Sequence, residues 1–164
     1  MRIGHATNGR NCEFEMQSKL KDWLTDKDEM FIDEFFVGEV GRRPDFLVLK
    51  PGNGLINIEA KCNDLVCLIS QMRDNARYCD YSFAYIPDYC LTPKEFKHEL
   101  LNYGFGLIIY NTTHKVITEV LEAHKNKEVN KMVRSNVIYC MKKALIMRKK
   151  KSDIDTQIKL NIIA

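Results

Sequence analysis

The stretch from Asp45 to Lys61 constrains this chain more than any other. Two short apolar runs, Asp45–Lys50 (DFLVLK) and Leu55–Lys61 (LINIEAK), flank Pro51-Gly52-Asn53-Gly54. Proline and glycine favour a tight reversal, and the flanking runs of Leu, Ile and Val suit a pleated surface, so the segment reads as two strands joined by a hairpin turn. The turn also decides which polar residues meet. Asp45 begins the first strand, Glu59 and Lys61 end the second, and all three gather at the open end although thirteen residues separate Asp45 from Glu59. Alternation along a strand predicts Glu59 and Lys61 on one face and Ala60 on the other.

Around the hairpin the hydrophobic periods predict one mixed sheet with flanking helices, an α/β (α+β) fold. Asn11 or Thr7 is placed to cap a first helix running to about Leu24, with Met16, Leu20, Trp23 and Leu24 on one face. Glu13 falls on that face and Glu15 does not. Met30–Val37 reads as a first strand. Asp64 caps a helix to about Cys79, with Leu65, Leu68, Ile69, Met72 and Ala76 inward, and the strand Tyr81–Ile86 follows. Thr92-Pro93-Lys94-Glu95 is a capping box opening a helix to about Leu101. Phe105–Tyr110 and Val116–Leu121 read as strands, and a long basic helix spans about Lys127 to Lys150. The alternation in Ile154–Ile163 suggests an added edge strand or a dimer contact. With no repeat and no Ser/Gly-rich linker, residues 1–125 read as the core and 126–164 as a basic helical extension packed on the same domain.

Charge is uneven. Net charge is only +3, yet residues 125–164 carry 11 Lys/Arg against three Asp/Glu, while the rest is acidic. Such asymmetry points to a polyanionic partner, or else to a solvated helix face. The 45% hydrophobic content excludes a disordered chain, and no run approaches the roughly 18 apolar residues of a membrane span. Six cysteines without a leading apolar segment suggest a reducing, intracellular setting, cytoplasmic or nucleoid-associated. They lack zinc-site spacing, which leaves buried thiols as the main reading and a Cys62, Cys67 and Cys79 cluster as the alternative.

Two carboxylates at one sheet edge offer the oxygen ligands that Mg²⁺ or Mn²⁺ wants, and the Ala60 carbonyl adds a third. Lys61 beside them is a compact positive charge able to orient or help deprotonate a water and to offset charge on phosphate.

Pro44-Asp45 followed by Glu59-Ala60-Lys61, set in this element order, resembles the PD-(D/E)xK nuclease superfamily. The resemblance spans roughly Asn8 to Tyr110 and implies a restriction-endonuclease-like core of α-β-β-β-α-β order that cuts phosphodiester bonds in DNA with Mg²⁺ or Mn²⁺. It implies Asp45 and Glu59 as metal ligands, Lys61 as the catalytic lysine and a first-helix glutamate, Glu13 in preference to Glu15, completing the site. Gly41-Arg42-Arg43-Pro44-Asp45, Tyr78-Cys79-Asp80 with Phe83-Ala84-Tyr85-Ile86-Pro87, and Gly106-Leu107-Ile108 look like small stand-alone nucleases associated with DNA repair and, more distantly, Holliday-junction resolvases. Some branches use a glutamine at the position of Gln71, but their tyrosine four residues on is Asn75 here.

Arg42, Arg43, Gln71 and Arg73 are candidate nucleic-acid contacts, as are Lys142, Lys143, Arg148 and Lys149 on the basic helix, where phosphate contacts give affinity rather than sequence preference. His5, His98, His114 and His124 lie in no ligand pattern, and Asp88 reads as a turn cap. A non-catalytic nucleic-acid-binding module, the same chemistry on RNA, and a homodimer remain open alternatives.

Overall fold

A computed structural model describes residues 9–38, 41–90 and 94–163, with side chains described from residue 12 to residue 154. Its order is α1 (Gly9–Asp26), β1 (Met30–Asp33), β2 (Phe46–Lys50), β3 (Gly54–Ala60), α2 (Leu65–Ala76), β4 (Tyr81–Pro87), α3 (Lys94–Tyr103), β5 (Gly106–Asn111), β6 (Val116–Leu121) and α4 (Lys131–Ile163). The strands form one six-stranded sheet in chain order. The β1–β2–β3 pairs are antiparallel, β3–β4–β5 are parallel, and β6 returns antiparallel. This is the expected mixed α+β fold with its α-β-β-β-α-β core.

The hairpin forms as the turn chemistry demands. Gly52 and Asn53 both adopt left-handed backbone, with φ of 79° and 65°, in a single 3₁₀ turn at Pro51–Asn53. Glycine and asparagine tolerate that region where most residues would clash.

Alternation splits the sheet into two buried faces. Phe46, Val48, Ile58, Ala60, Phe83, Tyr85, Ile108 and Tyr110 pack under Met16, Leu20 and Leu24 of α1. On the other face Leu47, Leu49 and Leu55 meet Val137, Ile138 and Met141 of α4. There Ala84, Ile86 and Leu107 meet Leu68, Ile69 and Met72 of α2 and Phe96 and Leu100 of α3. Each fully buried Leu or Phe contributes about 1.5–3 kcal/mol, so both faces are firmly covered. The extension after residue 125 thus supplies a layer of the core.

Several boundaries depart from the sequence reading. α1 starts at Gly9, so Asn11 lies inside the helix and does not cap it, and Thr7 is outside the described residues. β1 stops at Asp33, where Glu34 turns to a φ of 48°; Val37 makes only an isolated bridge to Arg42. Asp64 does cap α2, accepting from the Cys67 N–H at 3.0 Å, but the helix ends at Ala76. α3 opens at Lys94; the Thr92-Pro93 half of its capping box lies outside the described residues, as does His5. α4 begins only at Lys131, capped by the Asn130 side chain on the Val133 N–H at 3.1 Å. Ile154–Ile163 continues α4 and adds no edge strand. No glycine or proline interrupts the chain after Lys131, and extending an existing helix by one residue costs far less than nucleating a new element. Among the described residues no helix is long and apolar enough to cross a membrane.

Candidate active site

The site lies where β3 and β4 end. β2 runs antiparallel to β3 with Phe46 opposite Ile58, and one further step of that register sets Asp45 opposite Glu59. Like charges directly opposite each other repel, so the fold accepts a cost here. Ala60 is the hinge of the arrangement. Lys61 N–H bonds the Tyr85 carbonyl of β4 at 3.0 Å, which turns the main-chain groups of Ala60 the other way. Its N–H goes to Asp45 Oδ2 at 2.8 Å, and in an extended residue the carbonyl points to that same side.

Burial dominates the electrostatics. Glu59 is only 2% exposed. Its burial first, and the charge of Asp45 second, push its carboxyl up to about 8, against a donated hydrogen bond from Asn75 Nδ2 to Oε1 at 2.6 Å. Asp45 is raised as well: burial and the Glu13 charge outweigh the Ala60 N–H and the positive charge of Lys61. The two carboxyls stand opposite one another and titrate as a pair. Without a cation between them, the pair therefore keeps a proton at neutral pH.

The expected alternation of Glu59 and Lys61 on one face ends with the strand. Glu59 lies under α2, whereas the Lys61 amine reaches α1 and meets Glu13 Oε1 at 3.3 Å. Burial alone would lower the Lys61 amine, but the charge and hydrogen bond of Glu13, with Asp45 adding to them, hold it above its ordinary value. Lys61 is an ammonium at neutral pH. Glu15 points elsewhere, accepting from Tyr110 Oη at 3.0 Å and pairing with Lys115.

The donor set suits a hard divalent cation. Asp45, Glu59 and the Ala60 carbonyl supply oxygen only, and Mg²⁺ is commonly held by one or two carboxylates while it keeps waters and substrate oxygens. Among the described residues no group of three or more His, Cys, Asp or Glu side chains is placed to hold a metal, which removes the Cys62, Cys67 and Cys79 cluster. Cys79 is buried under α4, while Cys62 packs against Met16 of α1 on the opposite face.

The surrounding cations divide. Arg42 pairs with Asp74 of α2, tying the loop before Asp45 to that helix. Arg43 donates Nε to the Glu34 carbonyl at 3.0 Å. The Gln71 side-chain oxygen Oε1 is buried without a protein partner, one helical turn before Asn75. Arg73 does not join the site: its guanidinium sits 5.1 Å over the Tyr103 ring, in a pocket of about 300 Å³ that includes Tyr81 and Ser82 at the start of β4. At 3.6 residues per turn Arg73 lies about 200° around α2 from Asn75, so it leaves the helix on the side opposite the one that reaches Glu59. Lys142 donates to Asn53 Oδ1 at 2.7 Å and Arg148 to Asp33 at 3.1 Å, while Lys143 and Lys149 are exposed. Asp88 caps its turn, accepting from Thr112 N–H at 3.2 Å and Oγ1 at 2.9 Å.

Sequence reasoning meets Asn75 only as a departure from the family pattern and gives neither it nor Tyr78 a role, yet both stand behind Glu59. A signal for the first exists: Asn75 continues the Leu68, Met72 stripe of α2, a polar residue on an apolar face.

No protein-family model matches the chain, and no curated protein matches it significantly. Among solved structures, the SPO1766 protein of unknown function from Silicibacter pomeroyi aligns with a TM-score of 0.62 and 20% identity, over 88% of this chain and 92% of that one. The likeness is one of fold. SfsA from Pyrococcus furiosus, solved in complex with Ca²⁺, aligns with a TM-score of 0.39 and 16% identity, over 68% of this chain and 64% of that one.

Proposed function

We propose that this chain is a metal-dependent nuclease of the PD-(D/E)xK, restriction-endonuclease-like kind, hydrolysing phosphodiester bonds in DNA with Mg²⁺ or Mn²⁺. One observation carries the reading: two carboxylates are forced together, largely out of water, with no ion pair to either among the described residues, beside an ammonium already held by a third acid.

Asp45, Glu59 and the Ala60 carbonyl would hold the cation. When bound, it polarises the phosphate and lowers the pKa of water. Lys61 serves as a charge donor and not as a base, because Glu13 keeps it protonated; it orients the attacking water and offsets charge growing on the phosphate. Arg42 and Arg43 are more than half exposed, in surface pairs worth little, so either can exchange its carboxylate for a phosphate of the bound strand. The cations of α4 add sequence-independent, salt-sensitive affinity.

The test is incubation of purified protein with plasmid, linear duplex, single-stranded and branched DNA and with matched RNA, in Mg²⁺, in Mn²⁺ and in EDTA, with Lys61→Ala alongside. Cutting that needs metal and falls about 10²–10³-fold in the variant supports the reading. Preferential cutting of RNA changes the substrate and keeps the chemistry. Salt-sensitive binding without cutting by wild type replaces it with the binding-module reading, which the exposed Lys143 and Lys149 would serve without the carboxylates.

A further inference from the structure

Glu59 is held by more than its place on β3. Asn75, 3% exposed, donates Nδ2 to Glu59 Oε1 at 2.6 Å, and Tyr78, wholly buried, donates its hydroxyl to Asn75 Oδ1 at 2.6 Å. A side-chain amide has an acceptor end and a donor end. The Tyr78 hydroxyl claims the acceptor end, so the amine is what Glu59 receives. With Oε1 committed to Asn75, the other carboxylate oxygen is left for the side facing Asp45.

Packing does not call for this amide. Asn75 continues the apolar face of Leu68 and Met72, where the helical period itself asks for an apolar side chain. A polar group so buried is costly unless each end is bonded, and here both ends are. The neighbouring residue on the same turn, Asp74, pairs with Arg42, three residues before Asp45. One turn of α2 thus contacts Glu59 directly and the loop before Asp45 through a surface pair.

We propose that Asn75 and Tyr78 are positioning residues that aim the Glu59 carboxylate at the cation, Tyr78 acting only through Asn75. This rests on the reading of Asp45 and Glu59 as cation ligands. Partners that hydrogen-bond a ligating group fix its orientation, and their loss weakens metal affinity about 10–100-fold.

The test is calorimetric titration of Mn²⁺ into the full chain as wild type, Asn75→Leu, Tyr78→Phe and the double variant, with melting in EDTA as a control on folding. Mn²⁺ affinity should fall about 10–100-fold in Asn75→Leu and about 3–10-fold in Tyr78→Phe. The double variant should bind no more weakly than Asn75→Leu alone, because residues acting in series are non-additive. A loss confined to stability, an affinity within twofold of wild type in either variant, or additive losses in the double variant overturn the proposal while leaving the cation site standing. If Asn75→Leu does not fold, Tyr78→Phe decides alone, since it keeps the ring and removes only the hydroxyl. Absence of Mn²⁺ binding by wild type is a different result, and it removes the cation reading together with this one.

Discussion

The two ends of β3 hold buried acids on opposite terms. At its start Asp80, its side chain 9% exposed, accepts from the Leu55 N–H at 2.7 Å and from Arg134 Nε at 2.9 Å and Nη2 at 2.6 Å. The same guanidinium also caps the Asn53 carbonyl, joining α4 to the hairpin turn. At the other end Asp45 and Glu59 face each other with a neutral amide, a backbone N–H and a lysine engaged by Glu13. The chain provides a counterion for the first acid. For the second pair the described residues form no ion pair, and the proposed metal would supply the charge.

That contrast breaks most sharply in activity. Asp45→Asn and Glu59→Gln should each abolish metal-dependent DNA cutting, by more than about 10³-fold if charge stabilisation at the phosphate is the main effect. Arg134→Met should leave per-molecule cutting near wild type at a temperature where it is folded. Stability should show the reverse order. Removing Arg134 strands a buried carboxylate and should cost about 3 kcal/mol in urea melts, the low end for a broken buried pair because Arg134 keeps 23% of its side-chain surface. Glu59→Gln should cost little or stabilise in EDTA. A destabilisation of Glu59→Gln as large as that of Arg134→Met would mean the carboxylate pair is structural.

The dependence on pH sharpens the comparison. Unfolded Glu59 loses its proton near the ordinary value of 4.5, while in the folded chain it holds it to about 8. Between those values the native state binds the extra proton, so in EDTA stability falls as pH rises through that window. The melting temperature of wild type relative to Glu59→Gln should decline from pH 5 to pH 8, and Mn²⁺ should remove most of the decline. The smallest effect lies between the two ends. Asn57 and Ser82, paired neighbours on β3 and β4, bury an amide and a hydroxyl with no protein partner. Ser82→Ala should raise stability by about 1 kcal/mol in the same melts.

Much of this site is legible in the amino-acid sequence. The Pro-Gly-Asn-Gly turn and its two apolar runs place Asp45 against Glu59 by register alone, and the 3.6-residue period of Met16, Leu20 and Leu24 separates Glu13 from Glu15. What escapes depends on distance along the chain or on where a strand stops. Arg134 lies 54 residues from Asp80, and nothing local announces their bond. Lys61 leaves the face of Glu59 because it lies just past the end of β3, its N–H still on the Tyr85 carbonyl while its amine turns to Glu13 of α1, a contact that alternation does not contain. Lying on the helix after the Glu59 strand suggests Arg73 at the cleft, whereas the helical period turns it about 200° away from Asn75 and over the Tyr103 ring. The final residues of α4 alternate like a strand, and a helix already under way simply runs through them.

The most direct measurement is a calorimetric titration of Mn²⁺ into wild type and Glu59→Gln at pH 7, repeated in two buffers of different ionisation heat. The expected result for wild type is a bound cation and a released proton, because the metal takes the place of the hydrogen shared by Asp45 and Glu59; in Glu59→Gln both should be lost or greatly weakened. No binding by wild type, or equal binding by the variant, would contradict a cation site built from these two carboxylates; binding with no proton released would contradict the protonated pair and leave the site standing.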